Sequence, residues 1–145
     1  MTTAGKKLKH FEHRASNRCF GCGPANASGL QLDFLIDDDL SVVCLAQIPD
    51  RFEGHPGYLH GGAIATLLDE AMSKAVRARQ VTAMTRELKV EYLRPVPSKT
   101  PIRIEGRLHS HEGRKYFTES AIFDEKEKKL ATATGIFIEL IPKLS

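Results

Sequence analysis

Gly61, the middle residue of His60-Gly61-Gly62, lies eight positions before Asp69, and Ala63, Ile64, Leu67, Leu68, Ala71, Met72, Ala75 and Val76 recur around them at spacings of one, three and four. That period marks the broad apolar face of a helix, which places the His-Gly-Gly at its N-terminus. There the first backbone N–H groups lack intrahelical partners and the macrodipole favours negative charge, so such an end can hold an oxyanion. Glycine at this point lets another group approach the backbone without a Cβ in the way. One preorganised N–H aimed at a developing oxyanion stabilises a transition state by roughly 3–4 kcal/mol. The same spacing also describes a plain tight turn into a helix, and the residues alone leave both readings open.

Asp69 falls inside the helical pattern, and the residues one turn away, Ala65, Thr66, Met72 and Ser73, include no base. Adjacent Glu70 has Lys74 four residues on, the arrangement of an exposed helix ion pair. Asp69 is therefore the unexplained carboxylate. It sits at the margin of the apolar face, from which it can reach a partly desolvated cleft with a perturbed pKa. Eight helical residues rise roughly 12 Å, too far for Gly61 and Asp69 of one chain to touch the same carbonyl. If both act, they come from different subunits, and a twofold dimer supplies that arrangement.

The elements that must position these residues follow from periodicity. Leu30, Leu32 and Phe34 alternate with polar residues as a strand ending at Asp37-Asp38-Asp39, and 41–48 reads as its hairpin partner. After the helix come four extended segments, near 84–93, 100–110, 114–123 and 130–141, separated by turn clusters such as Pro95-Val96-Pro97, and short links predict antiparallel neighbours. One long helix among mostly antiparallel strands is an α+β domain whose sheet closes over the helix, with five to six strands. A chain of 145 residues, 41% hydrophobic, predicts a single domain over 19–145, with 1–18 as a basic, mobile or loosely docked leader in which Leu8 and Phe11 anchor at most a short helix.

A net charge of +3 with 27% charged residues is too small an imbalance to argue for nucleic acid, and aromatic residues are sparse at 7%. No apolar run approaches the roughly 20 residues of a membrane span, and no signal-peptide pattern precedes the domain, so a cytoplasmic location is expected, with neither membrane nor nucleic acid as partner. Cys19, Cys22 and Cys44 form an odd set that fits a reducing compartment. Cys19 and Cys22 have zinc-ligand spacing, with His10 and His13 not far away, but no second pair follows, and a structural loop without metal is the expectation. Cys44 reads as a small hydrophobe in a strand. His109 and His111 flank a turn and should face solvent. No Gly-x-Ser-x-Gly serves the His-Gly-Gly as a nucleophile, and no dinucleotide or phosphate-loop fingerprint is present.

The stretch from His60 to Glu70 resembles the motif of hotdog-fold acyl-CoA thioesterases of the phenylacetate-pathway (PaaI-like) type, within the hydroxybenzoyl-CoA thioesterase superfamily. Thr85 to Pro95 is similar to that family's next strand, with a Ser or Thr seven residues before a Tyr and then Arg-Pro. Cys19-Phe20-Gly21-Cys22-Gly23, with Asn26 and Gly29-Leu30, recurs in one branch, so the resemblance covers roughly 19–140. It implies hydrolysis of acyl-CoA to free acid and CoA by a homodimer or homotetramer without cofactor or metal. The Gly61 N–H would polarise the thioester carbonyl, and Asp69 of the partner subunit would attack it or activate a water that Thr85 helps to orient. It further implies that His60 shapes the carbonyl site and that Gly62, His55 and Arg94 bind substrate. Many relatives carry an Asn or Gln a few residues before the His-Gly-Gly. Here the window reads Glu53-Gly54-His55-Pro56-Gly57, which leaves His55 as the stand-in and a non-catalytic acyl-CoA-binding protein as the alternative. Arg94, Lys99, Arg103, Arg107, Arg114 and Lys115 are the basic residues placed for CoA phosphates, Arg94 first because its Arg-Pro step ends the strand that bears Thr85.

Overall fold

A computed structural model of the chain describes residues 8–141, so the start of the basic leader, with Lys6 and Lys7, lies outside the described residues. The elements run β1 (Lys9–His10), β2 (Leu35–Ile36), β3 (Val42–Ala46), a single 3₁₀ turn at Asp50–Phe52, α1 (Gly61–Arg77), β4 (Ala83–Tyr92), β5 (Ile102–Glu112), β6 (Lys115–Phe123) and β7 (Lys129–Glu139). All seven strands join one antiparallel sheet in the order β1-β2-β3-β5-β6-β7-β4. This is the expected α+β arrangement with one strand more than predicted. Among the described residues no helix is long and apolar enough to cross a membrane.

The extra strand corrects the reading of the leader. Lys9 and His10 pair with Ile36 and Leu35, the Phe11 N–H donates to Phe34 O at 3.0 Å, and the Phe11 side chain packs on the core. Over residues 9–11 the leader is thus docked as an edge strand, with no short helix. A second correction concerns Leu30, Leu32 and Phe34. Their alternation is reproduced, all three being buried, but the sheet takes in only Leu35–Ile36. The Leu30 and Leu32 N–H groups donate instead to Phe20 O and Gly21 O, both at 2.9 Å. Period two therefore reports burial on one side, whichever backbone satisfies the bonds. The hairpin of β2 with β3 is as expected, and Cys44 is a buried core residue whose thiol burial pushes up to about 12.

Helix α1 fills the concave face of the sheet. Ile64, Leu67, Leu68, Ala71, Met72, Ala75 and Val76 are all buried, facing Ile102 and Ile104 of β5, Ile122 of β6, and Ala131, Ala133 and Phe137 of β7 within one core. The Ser120 hydroxyl, inward on β6, donates to Leu68 O at 3.0 Å and ties the sheet to the helix backbone. The short-link rule fails at one place, since β4 pairs with β7 and the 93–101 connection crosses the sheet to β5. Strand β4 is thereby an edge strand ten residues long, with Met84 60%, Tyr92 54% and the following Leu93 50% exposed.

Gly106 of β5 is what lets the helix come so close. A Cβ there would stand 2.3 Å from Ala71 O, 2.6 Å from Ala71 C and 2.9 Å from Ala71 Cβ, and backbone atoms cannot rotate away as a side-chain tip can. Gly106→Ala should therefore force α1 off the sheet, with a destabilisation of about 3 kcal/mol, at the upper end for overpacking. Denaturant unfolding reads this directly, and an unchanged midpoint would show that the helix can yield at no cost.

Candidate active site

His60 caps α1 with its side chain. Its backbone is extended (φ −62°, ψ 143°), and its Nδ1 accepts the Gly62 N–H at 2.8 Å. Because Nδ1 accepts, it carries no proton, and the neutral ring presents its N–H at Nε2. The bond also uses the donor that Gly62 would have offered a ligand. Gly62 contributes open space instead, lining a cleft of about 330 Å³ with Phe20, Arg51, Phe52, Glu53, His60, Ala63 and Thr66. The Thr66 hydroxyl turns back to Gly62 O at 2.9 Å. Among the described residues the Gly61 N–H meets no acceptor, which leaves the first donor of the helix without a hydrogen bond.

Asp69 is half-buried, and its Oδ1 accepts the Thr85 hydroxyl at 2.7 Å. Burial raises its pKa, and the Thr85 hydrogen bond pulls the other way without cancelling it. No cation pairs with Asp69 among the described residues. This is the signature of a carboxylate kept basic rather than neutralised by an ion pair. The neighbouring Glu70 does not form the expected ion pair with Lys74. Glu70 Oε1 takes the Cys19 thiol at 3.6 Å and Lys74 donates to Cys22 Sγ at 3.0 Å. Their spacing predicted a solvated pair, but the loop of residues 19–23 covers that side of the helix and gives each charge a sulfur partner.

Strand β4 supplies the second contact to the helix through Tyr92, which was absent from the expected site residues. Its hydroxyl donates to Gly61 O at 2.8 Å. Thr85 and Tyr92 are seven residues apart, and a regular strand would put them on opposite faces. A bulge between Thr85 and Glu87 shifts the register against β7 by one residue, and both side chains then face α1, one at Asp69 and one at Gly61. The odd spacing was the available signal, readable only once the bulge is known.

The remaining expected site residues are less engaged. His55 stands exposed in the 55–58 turn and makes no side-chain hydrogen bond among the described residues. Glu53, in the place of the missing amide, accepts the Ser98 hydroxyl, and that bond lowers its pKa. Arg94 is exposed without a side-chain partner among the described residues. Of the other basic candidates, Arg103 is corrected outright. It is buried, holds Glu105 at 2.5 Å and Glu127 at 2.6 Å, and lies over the Phe123 ring at 4.5 Å, so it cannot reach a phosphate. Arg107 pairs with Glu119, Arg114 donates to Glu139 O at 2.8 Å, and Lys99 lies 3.7 Å from Asp50. His109 and His111 are exposed as expected, with His111 stacked on Tyr116 at 5.0 Å.

A single long helix wrapped by an antiparallel sheet, with a His-Gly-Gly start and an unpaired carboxylate two turns on, defines a hotdog-fold domain. A sequence model of the Thioesterase superfamily matches residues 56–131, more than half of the chain, and the chain belongs to that family. Acyl-coenzyme A thioesterase THEM4 of Bos taurus is 37% identical over 121 residues, covering 81% of this chain and 50% of its own length. The chain thus spans about half the length of the curated relatives it matches. Among solved structures, the thioesterase superfamily protein RHA08564 superposes with a TM-score of 0.80 at 29% identity, covering 86% of this chain and 61% of that one. The BH2602 protein of Bacillus halodurans, solved with CoA, superposes at 0.70 with 26% identity, covering 81% and 79%.

Proposed function

We propose that this protein hydrolyses acyl-CoA thioesters to a free carboxylic acid and CoA at sites shared between two copies of the chain. The observation that carries the reading is Asp69, half-buried, held by Thr85 and paired with no cation. Its carboxylate attacks the thioester carbonyl or takes a proton from an attacking water. The oxyanion formed is held by the Gly61 N–H; as it collapses the C–S bond breaks and the thiolate takes up a proton. The free acid forms directly where Asp69 activates the water, or by water hydrolysing the mixed anhydride and releasing the Asp69 carboxylate where Asp69 attacks. Thr85 acts as a positioning residue. Exposed Arg94 is the first candidate for a CoA phosphate. The two half-sites are about 12 Å apart along α1. The long exposed edge of β4, whose free N–H and C=O groups favour pairing, supports a twofold partner that brings Gly61 of one chain to Asp69 of the other. Relatives and neighbours named for acyl-CoA hydrolysis or solved with CoA support the substrate class.

Thiol release across short, medium, long and aromatic acyl-CoAs tests the activity, and saturable binding without turnover would favour the non-catalytic alternative. The shared site is tested by mixing Asp69→Asn with Gly61→Pro chains after dissociation. Half of randomly reassembled dimers carry one intact site of two, so activity should return to about a quarter of wild type. No recovery above the separate variants would show that Gly61 and Asp69 do not complete one another across the interface.

A further inference from the structure

A second cluster of chemically active side chains lies outside this site. Cys19 and Cys22 sit in the loop before the buried 30–34 segment, and Glu70 and Lys74 come from the side of α1 facing it. The Sγ atoms of Cys19 and Cys22 and a carboxylate oxygen of Glu70 all lie within 4.8 Å of one another, the only such trio of potential metal ligands among the described residues. We propose that Cys19, Cys22 and Glu70 bind a divalent cation of the zinc class and so fasten this loop to the middle of α1.

Donor type, size and charge all agree with that assignment. Two cysteine sulfurs three positions apart with a third donor from a distant helix make a zinc ligand set, and the third donor could not be read from the sequence. Zinc bonds of about 2.3 Å to sulfur and 2.0–2.2 Å to oxygen give tetrahedral edges of roughly 3.5–3.8 Å. The Cys19 to Glu70 separation is already 3.6 Å, so the trio needs only a small contraction. On binding, each thiol loses its proton to solvent, leaving two thiolates and one carboxylate around a doubly positive ion. The resulting single negative charge is matched by the Lys74 ammonium, 3.0 Å from Cys22 Sγ, in the position of an outer hydrogen bond to a metal thiolate. The fourth position goes to water.

Gly21 keeps the trio together. A Cβ at that position would stand 2.3 Å from Glu70 Cγ, so any larger residue must push the carboxylate aside. The site also connects to the cleft, because Phe20, between the two cysteines, lines the wall facing His60 and Gly62. A metal that fixes the loop fixes this wall.

The full chain, purified under reducing conditions and stripped with chelator, should bind one Co²⁺ per chain with the sulfur-to-metal charge-transfer band of a thiolate site. Zn²⁺ should displace it and raise the melting temperature. Cys22→Ser should abolish the band. Glu70→Gln and Gly21→Ala, which keep both thiols, should bind at least tenfold more weakly while their circular dichroism matches wild type. The proposal is overturned if folded wild type takes up no stoichiometric metal, if Cys22→Ser binds as tightly, or if the cysteines are recovered as a Cys19–Cys22 disulfide under these conditions.

Discussion

Asp69→Asn should lower kcat/KM on the best acyl-CoA a thousandfold or more while making the folded protein more stable at neutral pH. The loss follows from removing a half-buried carboxylate held by Thr85 and paired with no cation among the described residues, since a positioned base alone contributes roughly 10²–10⁴ and a nucleophile more. The gain follows from linkage. Burial holds the Asp69 pKa above its ordinary value, so the folded state binds that proton more tightly than the unfolded chain. Stability is therefore lost as pH rises from the unfolded value of about 3.9 through the raised folded value, and the loss is complete above it. The Asn variant, which can still accept from Thr85, should match wild type at the acid end of that window and exceed it above. Thr85→Val removes the bond that lowers the Asp69 pKa, so the acid limb of its pH–rate profile should move to higher pH. Equal stability of Asp69→Asn and wild type at every pH would show that the carboxylate is not desolvated in the assembled protein.

Gly61→Pro should reduce kcat by 10²–10³ without loss of fold. Proline at the first helical position removes the one N–H assigned to the oxyanion, and a single such donor is worth about 2.7–4 kcal/mol. The backbone can accept it, because that N–H has no partner among the described residues and the preceding His60 already has the extended ψ of 143° that a residue before proline requires. Gly61→Ala is the control. Its Cβ would meet Tyr92 at 3.6 Å, ordinary contact, and it keeps the N–H. If Gly61→Pro folds and turns over at the wild-type rate, the carbonyl is polarised by another group, for which the His60 Nε2–H is the nearest candidate on the same helix start.

What the sequence determined by itself is the set of features written in local spacing. The apolar period of α1, its His60 start, the spans of β3 to β7 and the isolation of Asp69 from any base within one helical turn are all properties of residues a few positions apart, and the structure reproduces them. The packing of Cys44 belongs here too, since a small hydrophobe inside an apolar strand has nowhere else to go. Features that depend on partners far along the chain were not legible. The alternation of residues 30–34 signalled burial but not that the Leu30 and Leu32 N–H groups bond to the Cys19–Gly23 loop. The i to i+4 spacing of Glu70 and Lys74 predicted a pair that the same loop dissolves by offering each charge a sulfur. Arg103 looked like surface until Glu105, Glu127 and Phe123 enclosed it. Only the tertiary structure sends β4 to the far edge beside β7. There a single bulge rotates Thr85 and Tyr92 onto one face of the strand, toward Asp69 and Gly61 of α1. Sheet order and bulges are set by long-range pairing, in which each strand's period of two fits more than one neighbour, and the choice falls to the packing of the whole core against the helix.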